Sequence, residues 1–199
     1  MIWIVLLVAI AALVGYRFLN RVSVDHLPES FVVFALETTG PDPERHEIVE
    51  IGAIRVGRDL VVQDSFRSLV SSSAVIPRRV TELTGITQSA IDSEGKPLAE
   101  VLTAFTAFAG ELPLVAYNAD LGMAFLGAAA QRSGVAIGNR ITCSKKMASR
   151  AWPERKSQGL SELAKVDKAV GAAAHRILDE CRKVLSVYVA AASRLGTAD

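Results

Sequence analysis

The residues with chemical potential fall in a few places along the chain. Glu37 closes the apolar run FVVFAL, residues 31–36, so its carboxylate stands at the end of a segment with the composition of a buried strand. A carboxylate in that position is costly unless a metal ion, a hydrogen bond or a cation satisfies it. His175 precedes Asp179 and Glu180, and the four-residue step to Asp179 is one helical turn, the spacing of an exposed pair on a helix face. Residues 140–156 carry Arg140, Lys145, Lys146, Arg150, Arg155 and Lys156 against the single acid Glu154. Such a face follows a phosphate backbone, lies against anionic headgroups, or is a solvated helix surface, and Trp152 within it is a stacking platform or a core residue. Cys143 and Cys181 lack metal-ligand spacing and read as two free thiols in a reducing compartment.

The elements that must position these groups follow from periodicity. FVVFAL reads as a strand buried on both faces. After the loop TTGPDPERH, the stretch EIVEIGAIRV at 47–56 alternates as a second strand, and LVVQDSFRSLV returns from a turn at Gly57, Arg58 and Asp59 as a third. Beyond Pro77 the period becomes helical, and Pro97 opens a helix whose Leu98, Val101, Leu102, Phe105 and Phe108 share one face, with Gly110 as its stop. PLVAY at 113–117 is strand-like, a helix runs from Asp120 to Ser133 with Gly134 ending it, and short helices are expected at 144–151 and 158–166. The last long helix spans Arg176 to Leu195. Strands first, then alternating helices and strands, is the order of a mixed α/β sheet covered by helices.

The chain has 199 residues, half of them apolar, with 22 basic and 21 acidic side chains. One domain with a proper core accommodates that length, and the composition excludes a disordered tail, a collagen or a disulfide-stapled miniprotein. The near balance of charge selects no partner. A mean hydropathy of +0.31 is high for a soluble domain, and residues 1–16, MIWIVLLVAIAALVGY, carry it without a charged side chain. Extended to residue 19 by snorkelling of Arg17, the run makes about 28 Å of helix, enough for one span of the bilayer. Residues 1–19 are therefore expected to be a transmembrane anchor, 20–30 a polar tether, and 31–195 the domain. Arg17 and Arg21 place that domain in the cytoplasm, on a single-pass inner-membrane protein. A cleaved signal peptide with Ala9–Ala12 as its small-residue region, and a buried core helix, are the competing readings.

The stretch FVVFALETTG resembles the first motif of the DEDDh 3′-to-5′ exonucleases, the superfamily of the proofreading epsilon subunit of bacterial DNA polymerase III, whose strand ends in Asp-x-Glu-Thr-Thr-Gly. The likeness continues through EIVEIGAIRV, the LTGIT segment at 83–87, LVAYNADLGMAFL at 114–126 and HRILDEC at 175–181, over essentially all of 31–195. It implies a ribonuclease H-like mixed five-stranded sheet flanked by helices. It also implies hydrolysis of a phosphodiester with two divalent cations, Mg2+ or Mn2+, held by convergent carboxylates, with a histidine as general base.

Three of the five positions depart from that pattern. Ala35 stands where the first Asp belongs, Gly122 where the second-motif Asp belongs, and Glu180 at the third Asp position, while Glu37 and His175 match. The resemblance thus leaves Glu37 and Glu180 as residual, weak metal ligands and Glu37 with His175 as the catalytic remnant. Asp120 and Asp179 are neighbours that a register shift could bring in, but Asp120 opening a helix reads first as a cap. Thr38, Thr39, Asn118, Lys145, Lys146 and Arg150 are the expected contacts to a single-stranded 3′ end. The expectation is a nucleic-acid-binding relative with catalysis lost or severely impaired. The alternatives are an active exonuclease with an altered ligand set and a membrane-tethered module for a protein partner.

Overall fold

The computed structural model describes residues 24–155, 159–164 and 176–198. Five strands form one sheet: β1 (Ser30–Thr38), β2 (Ile48–Gly57), β3 (Val62–Leu69), β4 (Leu114–Ala116) and β5 (Ile141–Cys143), in the order β3-β2-β1-β4-β5. β1, β2 and β3 are an antiparallel meander, whereas β4 lies parallel to β1 and β5 parallel to β4. The helices are α1 (Arg78–Thr84), α2 (Gln88–Glu94), α3 (Leu98–Ala109), α4 (Ala119–Ser133), α5 (Ser144–Ala151), α6 (Leu160–Leu163) and α7 (Arg176–Leu195).

The unbroken apolar run of β1 follows from its central place. Phe31, Val33 and Ala35 point to one face, where they meet Ile177, Cys181, Val184 and Tyr188 of α7. Val32 and Phe34 point to the other, against Leu102 and Phe105 of α3 and Phe125 and Leu126 of α4. Both clusters are essentially dry, and each strand residue alternates between them as the pleat requires. One glycine is demanded by the closeness of α7 to the sheet. A Cβ on Gly52 would lie 2.7 Å from both Cγ1 and Cγ2 of Ile177, so the helix comes this near only over a bare backbone.

The third strand begins at Val62, later than the expected Leu60, because Leu60 adopts φ 66° in the turn and Asp59 Oδ1 accepts the Val61 N–H at 3.1 Å. Helix α1 ends where Gly85 takes φ 78°, and Thr87 caps α2 by accepting from the Ala90 N–H. The expected tether requires a correction over its described part. Leu27 is 2% exposed within the α7-side cluster and its carbonyl accepts from Arg58 Nε at 2.9 Å, so the folded unit takes in Leu27 ahead of Phe31. The anchor expected at 1–19 lies outside the described residues. Among the described residues no helix is long and apolar enough to cross a membrane.

Candidate active-site cleft

β1 and β4 run parallel, so their C-terminal ends open on the same side of the sheet, between the first turn of α4 and the face of α7. A cavity of about 170 Å³ sits there, lined by Ala35, Thr38, Asn118, Gly122 and Glu180 together with apolar Phe34, Phe125 and Val184. The sequence places these residues up to 150 positions apart, and the fold brings them to one hollow. Ala35 and Glu37, two apart on a strand, share the α7 face, and Glu37 pairs across the ladder with Glu50 of β2. Glu180 arrives from α7.

Three carboxylates therefore meet near the end of β1, and their electrostatics register it. Burial pushes the Glu37 carboxyl from its ordinary 4.5 up to about 7, with repulsion from Glu180 and then Glu50 adding to the rise and the Arg176 guanidinium opposing it. Glu180 is also raised by burial, against the pull of Lys183. Glu50, 4% exposed, has a cation of its own, with Arg67 Nε 2.6 Å from its Oε1. Cys181, on α7 beneath the site, has its thiol pushed up by burial, and its Sγ lies 3.5 Å from the Gly52 carbonyl.

Among the described residues the donor set does not fit a pair of dications. Ala35 and Gly122 present no ligand atom beyond the backbone, and Glu50 is committed to Arg67. Among the described residues no group of three or more His, Cys, Asp or Glu side chains is arranged to hold a metal ion. His175 lies outside the described residues.

The remaining expected site residues divide. Thr38 lines the cleft, its hydroxyl donating to the Gly40 carbonyl at 2.7 Å, and Asn118 is exposed at the rim as the residue preceding α4. Thr39 is buried instead and its Oγ1 accepts the Glu47 N–H at 3.0 Å, which pins the loop after β1 and turns the side chain away from a strand in the cleft. Lys145 is half-buried, its backbone N–H donating to the Tyr117 carbonyl. Lys146 and Arg150 line a separate cavity beside β5.

Asp120 is not a side-chain cap. It lies in the first turn of α4 and its Oδ1 accepts from Lys146 Nζ at 2.8 Å, facing that second cavity rather than Gly122. Asp179 likewise takes Arg182, at 3.3 Å, as its partner on the helix face. Trp152 packs against the core, with the Arg194 guanidinium 5.9 Å from its ring centroid, and is no open stacking platform. Two contributors escaped the sequence reading, Glu50 and Arg176. A Glu inside an otherwise buried strand was the available signal for the first.

The architecture is a ribonuclease H-like fold. It superimposes on the nuclease domain of 3′hExo, a DEDDh family member bound to rAMP, with TM-score 0.69 and 19% identity over 82% of this chain and 92% of that one. Exonuclease I of E. coli in complex with a dT13 oligonucleotide matches at TM-score 0.71 and 16% identity, over 85% of this chain and 42% of that one.

By sequence, the exonuclease family RNase_T matches residues 32–188, and the chain belongs to that family. DNA polymerase III subunit epsilon of Aquifex aeolicus is 30% identical over 165 residues, 82% of this chain and 80% of its own length. The PolC-type DNA polymerase III of Caldanaerobacter subterraneus is 29% identical over 163 residues, 82% of this chain but 12% of the polymerase, so the chain spans about an eighth of that relative.

Proposed function

We propose that this domain holds a single-stranded nucleic-acid end in the family cleft without the two-metal hydrolysis that the cleft serves elsewhere. The observation that carries the reading is the pairing of an intact cavity with Ala35 and Gly122 in its wall, at the positions where the resemblance calls for carboxylates. Divalent metal would supply water activation and leaving-group stabilisation in an exonuclease of this type. Here Glu37 and Glu180 are left to face any Mg2+ or Mn2+, and four positive charges against two carboxylates make for weak binding. Losing about 5 kcal/mol of transition-state stabilisation lowers a rate by three to four powers of ten.

What the chain's own groups do is bind and orient. Thr38 and Asn118 offer polar contacts at the rim, the apolar wall of Phe34, Phe125 and Val184 suits a base or sugar, and E. coli exonuclease I in complex with dT13 supports single-stranded DNA as the ligand class. Residues 1–19 tether the domain to the inner membrane with its cleft in the cytoplasm, a reading that rests on their composition and flanking Arg17 and Arg21.

The test uses the full chain and a labelled single-stranded oligonucleotide. Binding with little Mn2+- or Mg2+-dependent release of nucleotides is the expected result. Robust metal-dependent turnover, abolished by Glu37→Ala, refutes it. Deleting residues 1–19 moves the protein from the membrane to the soluble fraction, and full-length protein found soluble with an intact N-terminus removes the tether.

A further inference from the structure

A second cavity, of about 380 Å³, lies on the far side of the first turn of α4 from the cleft. Its wall carries three cations, Arg140 ahead of β5 and Lys146 and Arg150 one helical turn apart on α5, with Asp120 as the acid among them. β5 is the edge of the sheet, so no further described strand covers the opening. Lys146 and Asp120 are joined at 2.8 Å while 65% and 70% exposed, and Asp120 holds the Lys146 ammonium above its ordinary range. A pair that open to water is weak, and a competing anion exchanges for the carboxylate readily.

We infer that this cavity is a second, separate anion site that takes phosphodiester groups of a nucleic-acid strand, with Asp120 acting as the internal anion that a phosphate displaces from Lys146. The inference rests on the nucleic-acid reading of the cleft. Asn118, just ahead of α4, lines the cleft and Asp120, in its first turn, lines this cavity, so one residue lies between them in the chain, and a strand whose end occupies the first passes over that turn into the second. Cations set about 6 Å apart along α5 suit a polyanion better than a single headgroup. The chain thereby reads phosphates through Arg140, Lys146 and Arg150, none of which touches the cleft.

Anisotropy of a fluorescent oligothymidylate of about 15 nucleotides, titrated with the full chain at several salt concentrations, tests this directly. Each single-strand phosphate contact contributes about 0.7 to the salt slope, so three contacts weaken binding about 18-fold between 50 and 200 mM salt. Arg140→Gln with Arg150→Gln leaves one contact and an effect of about threefold. Asp120→Asn acts in the opposite sense, tightening binding and steepening the salt dependence, a gain that misfolding does not produce. An oligonucleotide that binds with a slope unmoved by these variants overturns the second site and leaves the cleft reading standing. Absence of oligonucleotide binding to the unmodified chain overturns both. Loss of preference for phosphatidylserine over phosphatidylcholine vesicles in the double Arg variant, with oligonucleotide binding intact, assigns the cavity to a membrane surface and also overturns the inference.

Discussion

Ala35→Asp combined with Gly122→Asp is expected to restore divalent-metal binding. Gly122 leaves room for the change, since a Cβ there meets the Phe34 ring at 3.5 Å, an ordinary contact, and its φ is not left-handed. Ala35 lines the same cavity from β1. The double variant presents four carboxylates, with Glu37 and Glu180, against the four charges of two dications. Without metal, the added acids repel Glu37, already raised to about 7, and the apo variant loses stability. With Mn2+ at a hundred times its dissociation constant, binding returns about 2.7 kcal/mol, and at roughly 2 to 4 °C per kcal/mol for a domain of this size the midpoint of unfolding rises about 5 to 11 °C.

The assay is a thermal melt with and without Mn2+, paired with calorimetric titration above pH 7, where Glu37 is ionised. Each single variant should shift far less, because one metal stays under-coordinated. A double variant that is folded by circular dichroism, yet shows an unchanged isotherm, would mean that β1, α4 and α7 do not converge as described.

The raised Glu37 carboxyl makes stability depend on pH, with the sign set by which state holds the proton. Between 4.5 and about 7 the folded chain keeps a proton on Glu37 that the unfolded chain has lost, so the contribution of this group to stability is greatest below 4.5 and is lost as pH rises to about 7. The loss is at most about 3 kcal/mol, and Glu37→Gln should flatten that part of a denaturation series; a slope that persists assigns the dependence elsewhere. Gly52→Ala is expected to cost about 1 to 3 kcal/mol by forcing Ile177 and α7 off the sheet, measured by urea unfolding, and an unchanged midpoint would show that α7 yields freely. Alkylation of the native chain should proceed at Cys143, which is partly exposed, far faster than at Cys181, and become similar for the two in denaturant. Equal native rates, resolved by peptide mass, would contradict the burial of Cys181.

The long elements were legible because each carries its own signal. FVVFAL has the composition of a strand covered on both sides, the spacing of Leu98, Val101, Leu102 and Phe105 is that of a helix, and glycines mark several helix ends. β5 carried none, being three residues long with Thr142 its buried member. The cleft was legible by position, as Ala35, Gly122 and Glu180 do line one cavity.

Its electrostatics were not. That Glu37 faces Glu50 depends on the register set by the loop between β1 and β2 and by the irregularity at Glu37 and Thr38, which no local pattern encodes. The partner of Asp120 lies 26 residues away on another helix, and a helix-opening acid gives no hint of it.

The position of α7 in the chain has a consequence for biosynthesis. Every other described element of the domain precedes it, yet α7 supplies Ile177, Cys181, Val184, Tyr188, Ala191 and Ala192 to the cluster that covers Phe31, Val33, Ile54 and Val56. A nascent chain emerges N-terminus first, so one face of its sheet stays wet until residues 176–195 have cleared the ribosome. Until then the exposed apolar strands are a target for chaperones or aggregation, and a chain halted before Arg176 stays in that condition.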